Sequence, residues 1–332
     1  SLERMLIFVI NGLKSEVFTV FVLILPLISL LGFLSVNPIS FGYQEYVFAQ
    51  NWARNYNMHQ ISEIHDVLAT KDFVFVPDYE NHNVKKFTKN GTFILEWGGE
   101  GSNPGQFDTP HSLDVDSQGY VYVSDMNNKR IQKFDSNGSF IIEWGLPGEG
   151  AGEFLHPHGV AIDSNDDVYV ADTEISDIQK FNKDGQFMRK WGSEGSGQGQ
   201  FGWMENIDLD SKDNLYVADI PNDRIQKFTK DGDFILEWGS RGDKNGEFEG
   251  PSGVALDSSD NVYVIDDTGR IQKFTDDGTF ITSWGSDGSD DGQFSKAEGL
   301  DVDPEGNVYV ADTANKRIQV FSPSSPGISV NE

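Results

Sequence analysis

Imidazole and carboxylate side chains recur at one position of a regular spacing along this chain. The residues at that position are His65 beside Ile64 in an imperfect first copy, then His111, His158, Glu205, Ser252 and Glu298, the last five at intervals of 47, 47, 47 and 46 residues. Histidine nitrogen and carboxylate oxygen are common ligands of Zn²⁺ and other divalent metals. If the fold brings the copies together, every member of this series except Ile64 and Ser252 becomes a predicted metal ligand.

Two further residues of the same region are predicted to contact a ligand. Ser252 belongs to the series itself, and Trp203 lies in a Trp-Met-Glu segment where other copies contain proline. A plainer interpretation stays open for all these positions, since a polar side chain at a solvated place can simply hydrogen-bond water or a neighbouring loop. No catalytic residue and no organic cofactor site is assigned. The sequence contains neither a glycine-rich phosphate loop nor a serine nucleophile elbow, so phosphoryl transfer and serine-esterase chemistry have no support.

The segment 286–291, with the sequence SDGSDD, is a second place where a cation could bind. Its carboxylates are hard oxygen ligands suited to weak Ca²⁺ binding. The spacing does not match a known calcium loop, and a solvated acidic turn explains the composition equally well. Both interpretations stay open.

Three other markers keep the same period and predict the elements that position these residues. The aromatic residues in a strand-like run are Phe75, Tyr122, Tyr169, Tyr216, Tyr263 and Tyr309. A segment of the type RIQKF ends at Phe87 in the first copy and at Phe321 in the last, and a Trp-Gly pair follows in every copy but the last. Markers that keep one phase indicate an internal repeat.

Each repeat contains four short β-rich runs separated by turn residues. Pairs such as Asn137-Gly138 fall between the third and fourth runs, where a tight hairpin needs positive φ. Bulky side chains occur on both faces of runs such as YVYV, so both faces of each sheet need cover. Radial stacking of the sheets about an axis provides that cover, and it predicts an all-β, six-bladed β-propeller of four-stranded antiparallel blades.

The two ends of the repeat region predict how the ring closes. The last repeat lacks a fourth run, whereas the segment from Phe48 to Trp52 has the F-x-x-x-W spacing of a fourth run and precedes the first repeat. We therefore expect it to be the outer strand of the last blade, which would leave no exposed sheet edge at the junction.

The repeated motifs resemble the NHL repeat. They read G-Q-F-x-x-P, G-x-V-Y-V-A-D, N-x-R-I-Q-K-F and D-G-x-F-x-x-x-W-G, and they cover roughly residues 60 to 321. NHL proteins are propellers, often six-bladed, so the resemblance implies that fold but says little about function. A WD-repeat interpretation is disfavoured because glycine, not aspartate, follows each repeated tryptophan.

The segments 109–113 and 156–160 also resemble the P-H-x-[LIV] segments of peptidyl-α-hydroxyglycine α-amidating lyases. In that family of six-bladed propellers, three histidines hold Zn²⁺ while separate Arg and Tyr residues support catalysis. The match carries over only to His111 and His158, because later repeats present glutamate or serine. The resemblance implies a metal-dependent lyase as the alternative function.

Charge and cysteine content limit the partners. The chain has 53 acidic and 25 basic residues, a net charge of −28, and no cysteine. A field of this sign repels phosphate backbones and anionic membrane surfaces, which argues against nucleic-acid partners. Without disulfides, stability must come from packing between blades. We expect a monomeric propeller.

The N-terminal segment predicts export. Residues 17–34 are uncharged and mostly apolar and follow Arg4 and Lys14, which predicts one hydrophobic helix acting as an export signal or a signal anchor. Cleavage after Ala49 would cut the closing strand, and both cleavage and retention stay open. The predicted organisation is a signal or anchor over 1–43, a propeller over 44–321 and a flexible tail over 322–332. The propeller would be extracellular or at the cell surface, touching the membrane only through its N-terminal segment.

The regular repeats and the few distinctive polar positions lead to a first hypothesis about function. The chain would be an exported or membrane-tethered NHL propeller that binds or scaffolds a protein, peptide or small ligand. The metal-dependent lyase is the second hypothesis.

Overall fold

The computed structural model describes residues 45–52 and 61–324. Within them the chain forms β-strands and one 3₁₀ turn, at Ile220–Asn222, and no helix there has the length and hydropathy of a membrane span. The predicted N-terminal helix with its signal or anchor role lies outside the described residues. Of the tail predicted over 322–332, Ser322 and Pro323 belong to the strand Arg317–Pro323, and the residues from 325 onward lie outside the described residues.

Twenty-four strands form six sheets of four antiparallel strands each, which confirms the predicted six-bladed propeller. Blade 1 contains β2 (Leu68–Ala69), β3 (Phe73–Asp78), β4 (Asn83–Thr88) and β5 (Phe93–Gly98). Blade 2 contains β6 (Pro110–Val115), β7 (Val121–Asp125), β8 (Arg130–Phe134) and β9 (Phe140–Trp144). Blade 3 contains β10 (Pro157–Ile162), β11 (Val168–Asp172), β12 (Asp177–Phe181) and β13 (Phe187–Trp191).

The remaining three blades repeat this order. Blade 4 contains β14 (Met204–Leu209), β15 (Leu215–Asp219), β16 (Arg224–Phe228) and β17 (Phe234–Trp238). Blade 5 contains β18 (Pro251–Leu256), β19 (Val262–Asp266), β20 (Ile271–Phe274) and β21 (Phe280–Trp284). Blade 6 contains β22 (Leu300–Val302), β23 (Val308–Asp312), β24 (Arg317–Pro323) and, from the other end of the chain, β1 (Tyr46–Trp52).

Strand β1 is the outer strand of blade 6, the place expected for the segment from Phe48 to Trp52. It pairs antiparallel with β24, with Phe48 opposite Phe321 and Trp52 opposite Ile318. The ammonium of Lys89 in blade 1 also lies 3.0 Å from the Asp303 carboxylate in blade 6. Backbone pairing within blade 6 therefore joins the two ends of the repeat region, and a charge pair joins the first and last blades.

Aromatic and branched side chains fill the spaces between blades. The repeated tyrosines, such as Tyr169, are buried, and each hydrophobic cluster draws on two neighbouring blades: Tyr169 of blade 3 packs with Leu215 of blade 4. Burying a large apolar side chain contributes about 1.5–3 kcal/mol. This contact recurs around the ring, so the blades hold the inner strands rigidly about the axis.

The aspartate that ends the second strand of each blade is a structural residue. Asp125 is fully buried and accepts hydrogen bonds from the Asp108 backbone N–H at 2.7 Å, from Arg130 Nε at 2.7 Å and from Asn128 Nδ2. The chain repeats this arrangement around Asp219 and Asp312. The repeated aspartate therefore stabilises the turn of its own blade.

A second set of carboxylates, one in every other blade, joins each of those blades to the next one beside the channel. Asp114, Asp208 and Asp301 belong to blades 2, 4 and 6. The Asp208 side chain accepts the N–H groups of Leu209 and, from blade 5, Leu256, both at 2.7 Å. Burial raises the pKa of Asp114 to about 8 and that of Asp301 to about 6. Each of these aspartates lies three residues after a member of the His/Glu series, so they fix the inner strands that carry it.

Candidate metal centre at one end of the channel

The His/Glu series lies where each inner strand begins. His111, His158 and Glu205 are the second residues of β6, β10 and β14. The pairing of each of these strands with its neighbour is interrupted at this place, for example between Pro110 and Leu113. A β-bulge of this kind bends the strand and redirects its side chains, which here face one end of the channel.

All seven residues that the sequence singles out line one pocket of about 350 Å³. They are His65, His111, His158, Trp203, Glu205, Ser252 and Glu298. The ambiguity in the first copy is resolved, since Ile64 is fully buried in the hydrophobic core whereas His65 lines the pocket. Ser252 is buried, and its Oγ donates to the Ala297 carbonyl at 3.1 Å.

Four of these residues form a compact group of donors. His65, His111, Glu205 and Glu298 each offer one ligand atom, and these atoms all lie within 4.8 Å of one another. Two imidazoles and two carboxylates at such distances suit a divalent transition metal, which takes nitrogen and oxygen ligands at about 2.0–2.2 Å. The residues present therefore fit the metal that the resemblance implies, with glutamates where a third matched histidine is missing.

Glu205 is the best-connected member of the group. His111 Nε2 lies 3.0 Å from its Oε1, and Trp203 Nε1 donates to its Oε2 at 2.6 Å. Burial alone would raise the pKa of Glu205, but the adjacent imidazoles of His111 and His158 outweigh that effect and hold the pKa well below its ordinary value. The carboxylate is therefore ionised at neutral pH.

His111 is neutral at the same pH. Burial, with repulsion from His158, lowers the pKa of His111 to about 4. When its Nε2–H donates to Glu205, the other ring nitrogen, Nδ1, is buried without a hydrogen-bond partner. A neutral imidazole with a free nitrogen is the form that ligates metals.

His65 and Glu298 form the second pair. Nδ1 of His65 hydrogen-bonds Oε2 of Glu298, and its buried Nε2 makes no hydrogen bond, with Oε1 of Glu63 3.6 Å away. Burial would lower the pKa of His65, but the hydrogen bond and charge of Glu298, with smaller contributions from Glu205 and Glu63, raise it. One pair comes from blades 2 and 4 and the other from blades 1 and 6, and the rings of His65 and His111 lie 4.7 Å apart.

His158 lies beside the four-donor group. Its ring stacks on His111 with 4.0 Å between centroids, and its Nδ1 is 3.5 Å from Oε1 of Glu205. Neither ring nitrogen has a hydrogen-bond partner, although the side chain is buried. This histidine is placed to exchange a proton with a bound molecule or to add a ligand.

Several residues to which the sequence patterns assigned no binding role line the same pocket. Tyr79, Met126, Ile220 and Asp267 are among them, and each directly follows the structural aspartate of its blade. They are 47, 94 and 47 residues apart, so they occupy one position of the repeat, and this spacing could have identified them as a set. The residue after that aspartate differs in chemistry from blade to blade, unlike the aspartate itself. His156, two residues before His158, also lines the pocket.

The acidic segment 286–291 is different. Asp291 accepts a hydrogen bond from Asn51 Nδ2 at 2.6 Å and lies 3.6 Å from Arg317. Within the described residues, the segment does not contribute to a group of three or more donor side chains, as the pocket does. Ca²⁺ binding there stays a prediction from sequence.

Comparison with known proteins agrees with the fold. The family model described as NHL repeat matches residues 107–134, 154–181 and 294–321, and no curated protein matches. A streptogramin B lyase structure is 16% identical with a TM-score of 0.59, covering 82% of this chain and 98% of its own. A catalytically inactive variant of virginiamycin B lyase from Staphylococcus aureus with quinupristin is 16% identical, with a TM-score of 0.59 and coverages of 87% and 91%.

A third structural neighbour has a different chemistry in its name. A gluconolactonase from Xanthomonas campestris is 13% identical with a TM-score of 0.59, covering 80% of this chain and 87% of its own. Identities this low show a shared fold and leave function to the residues of the pocket.

Proposed function

We propose that this chain, which is an NHL-repeat protein with a six-bladed β-propeller fold, binds a divalent transition metal at one end of its channel and acts there as a metal-dependent lyase on a small molecule. The observation that carries the proposal is the group of four donor atoms within 4.8 Å, contributed by His65, His111, Glu205 and Glu298. Zn²⁺ is the metal that this donor set and the sequence resemblance favour. The structural neighbours named as a lyase and a gluconolactonase support an enzyme on this fold.

The pocket residues would have separate roles in the reaction. A bound metal would polarise an oxygen of the substrate. Glu205 is held by His111 and Trp203, so its orientation is fixed before a ligand arrives. His158 has two unpartnered ring nitrogens beside the donor group and would take a proton from the substrate and return it, as general acid–base catalysis requires.

A specific observation favours a second candidate, a binding module without turnover. The resemblance to amidating lyases implies a supporting arginine, yet neither Arg nor Lys is among the described residues that line the pocket. Of the Arg and Tyr pair that the resemblance implies, only a tyrosine is present in the described lining: Tyr79, whose ring lies 4.7 Å from that of His65. The metal centre would then hold a ligand without cleaving it. Both candidates would act outside the cell, which the apolar segment 17–34 supports.

Metal content tests the proposal. We would measure bound metals by elemental mass spectrometry in the purified protein, in a His111→Ala, Glu205→Ala double variant, and in a His156→Ala control that alters the pocket outside the donor group. We expect about one equivalent of metal per chain in the wild-type protein and the control, and loss of it in the double variant. A wild-type protein that stays empty after incubation with Zn²⁺, Mn²⁺ and Fe²⁺ would contradict the proposal.

Turnover separates the two candidates. The metal-loaded protein would be incubated with a peptidyl-α-hydroxyglycine, quinupristin or gluconolactone, with the His158→Ala variant as control. Cleavage of one substrate that is lost in the variant supports the enzyme. Tight metal binding without cleavage of any of the three favours the binding module.

A further inference from the structure

The pocket above the metal centre has a charge pattern that restricts its ligand. Glu205, Glu298 and Asp267 line it, and the described lining residues include neither Lys nor Arg. A divalent metal would offset the charges of the two glutamates, and Asp267 would remain. Lys296 acts on Asp267 from outside the lining, where its charge opposes the pKa rise that burial and Asp266 cause. The pocket therefore offers an anionic ligand no fixed cationic side chain, which carboxylate and phosphate recognition needs.

One wall of the same pocket is aromatic. The Trp203 side chain is 40% exposed, an unusual state for a tryptophan that also makes a hydrogen bond to a buried carboxylate. Its ring meets His158 edge-on at 5.2 Å and His156 at 6.4 Å. The Ile220 N–H donates to the Trp203 carbonyl at 3.1 Å, which fixes the backbone. The indole is thus held in place with open surface, as in an aromatic anchor for a ligand.

Apolar groups continue this wall around the mouth of the pocket. Met126, Ile220 and the Tyr79 ring line it, and the Tyr79 ring lies 6.4 Å from that of His111. A volume of about 350 Å³ is at the lower end of the range for small-molecule sites. The lining therefore combines a polar donor group with an apolar wall, so a ligand would place a polar atom at the donors and an apolar group against the wall.

We infer that the ligand is a carbonyl compound without an anionic group, an ester, lactone or amide, that carries an aromatic group which packs on Trp203. This inference rests on the proposed function, since the carbonyl oxygen is the atom that a metal at the donor group would polarise. The exclusion of an anionic group follows from the absence of Lys and Arg in the described lining, and the aromatic group follows from the fixed, exposed indole.

Calorimetric titration with three matched probes tests the inference. N-acetyl-L-phenylalaninamide is neutral and aromatic, N-acetyl-L-phenylalanine is its anionic counterpart, and N-acetyl-L-alaninamide is neutral without a ring. We expect the zinc-loaded protein to bind the first about tenfold or more tightly than either of the others, the size of a good aromatic contact or an unpaired charge.

Two variants of Trp203 identify the source of the preference. Trp203→Leu removes the ring, and we expect it to bind the two neutral probes with similar affinity while still rejecting the anion. Trp203→Phe keeps a ring but loses the N–H that holds Glu205, and we expect it to retain the preference for the aromatic probe. An acid bound as tightly as the amide, a Leu variant indistinguishable from wild type, or no binding of any probe would overturn the inference.

The metal content of the same samples separates this inference from the proposed function. A protein without metal contradicts the proposed function. The probes would then be titrated into that metal-free protein, because Trp203 and the carboxylates are present in it too. The preference for the neutral aromatic probe must also appear there, and its absence would overturn the inference on its own terms.

Discussion

Replacement of Trp52 in the closing strand tests how the ring is held together. Trp52 is only 9% exposed and lies at the end of β1, where its ring is 4.9 Å from that of Phe87 in blade 1. It also covers Gly91, where a Cβ atom would come within 2.4 Å of the indole. The side chain therefore joins a strand of blade 6 to the core of blade 1.

The size of the effect follows from this burial. Trp52 belongs to a cluster with Phe87 and Ile318, so Trp52→Ala would leave a cavity that backbone pairing of β1 cannot fill. Large aromatic-to-alanine changes in a core cost about 3–5 kcal/mol. We expect the free energy of unfolding to fall by that amount.

Trp97 provides a matched control. It occupies the same place on blade 1, is also 9% exposed, and packs against Phe134 at 5.9 Å. Unfolding in guanidinium chloride, followed by tryptophan fluorescence, would compare Trp52→Ala with Trp97→Ala. We expect similar losses. A Trp52 variant within about 0.5 kcal/mol of wild type, beside a strongly destabilised Trp97 variant, would refute closure by β1, since that is the size of a surface effect.

Further predictions concern the channel and the metal centre. Asp208→Ala leaves two backbone N–H groups without their acceptor, and because channel water can reach part of the site we expect a loss of about 1–3 kcal/mol in denaturant unfolding. The folded-state pKa of Asp114, about 8, lies above its unfolded value of about 4, so the free energy of unfolding should fall as pH rises between these values. Asp114→Asn should weaken this pH dependence in melting curves. An unchanged dependence would contradict the prediction. Glu205→Gln removes a charged donor, and we expect at least about tenfold weaker Zn²⁺ binding by competition with a chelating dye; equal affinity would exclude this glutamate as a ligand.

The repeat made the fold readable from sequence. The spacing of the aromatic residues, from Phe75 to Tyr309, fixed the number of blades, and the Asn-Gly and Asp-Gly turns fixed the antiparallel order of the strands. The expected place of the Phe48 to Trp52 segment came from the missing fourth strand of the last repeat. These features are local in sequence, so they need no knowledge of distances across the ring.

Part of the candidate site could be predicted from the sequence, because most of its residues occupy one position of the repeat. His111 and Glu205 occupy equivalent positions two blades apart, yet only the structure shows that their side chains meet at 3.0 Å. That distance depends on the bulges at the start of β6 and β14 and on the width of the channel. The contact between His65 and Glu298 depends in the same way on closure of the ring.

Tyr79 and the residues equivalent to it were missed for another reason. Each follows the structural aspartate that ends the second strand, and the repeat pattern does not show where the side chain after that aspartate points. In the structure the turn directs the next side chain into the pocket, as with Met126 and Asp267. Positions that vary beside a position that repeats are therefore where function is to be sought in such a ring.

Anomalous diffraction from a crystal of the protein grown with Zn²⁺ would show directly whether the four donor side chains bind the metal. We expect one strong peak at the zinc absorption edge, within about 2.0–2.2 Å of donor atoms from His65, His111, Glu205 and Glu298. Density among these four side chains without an anomalous peak, or zinc bound only elsewhere on the surface, would contradict it.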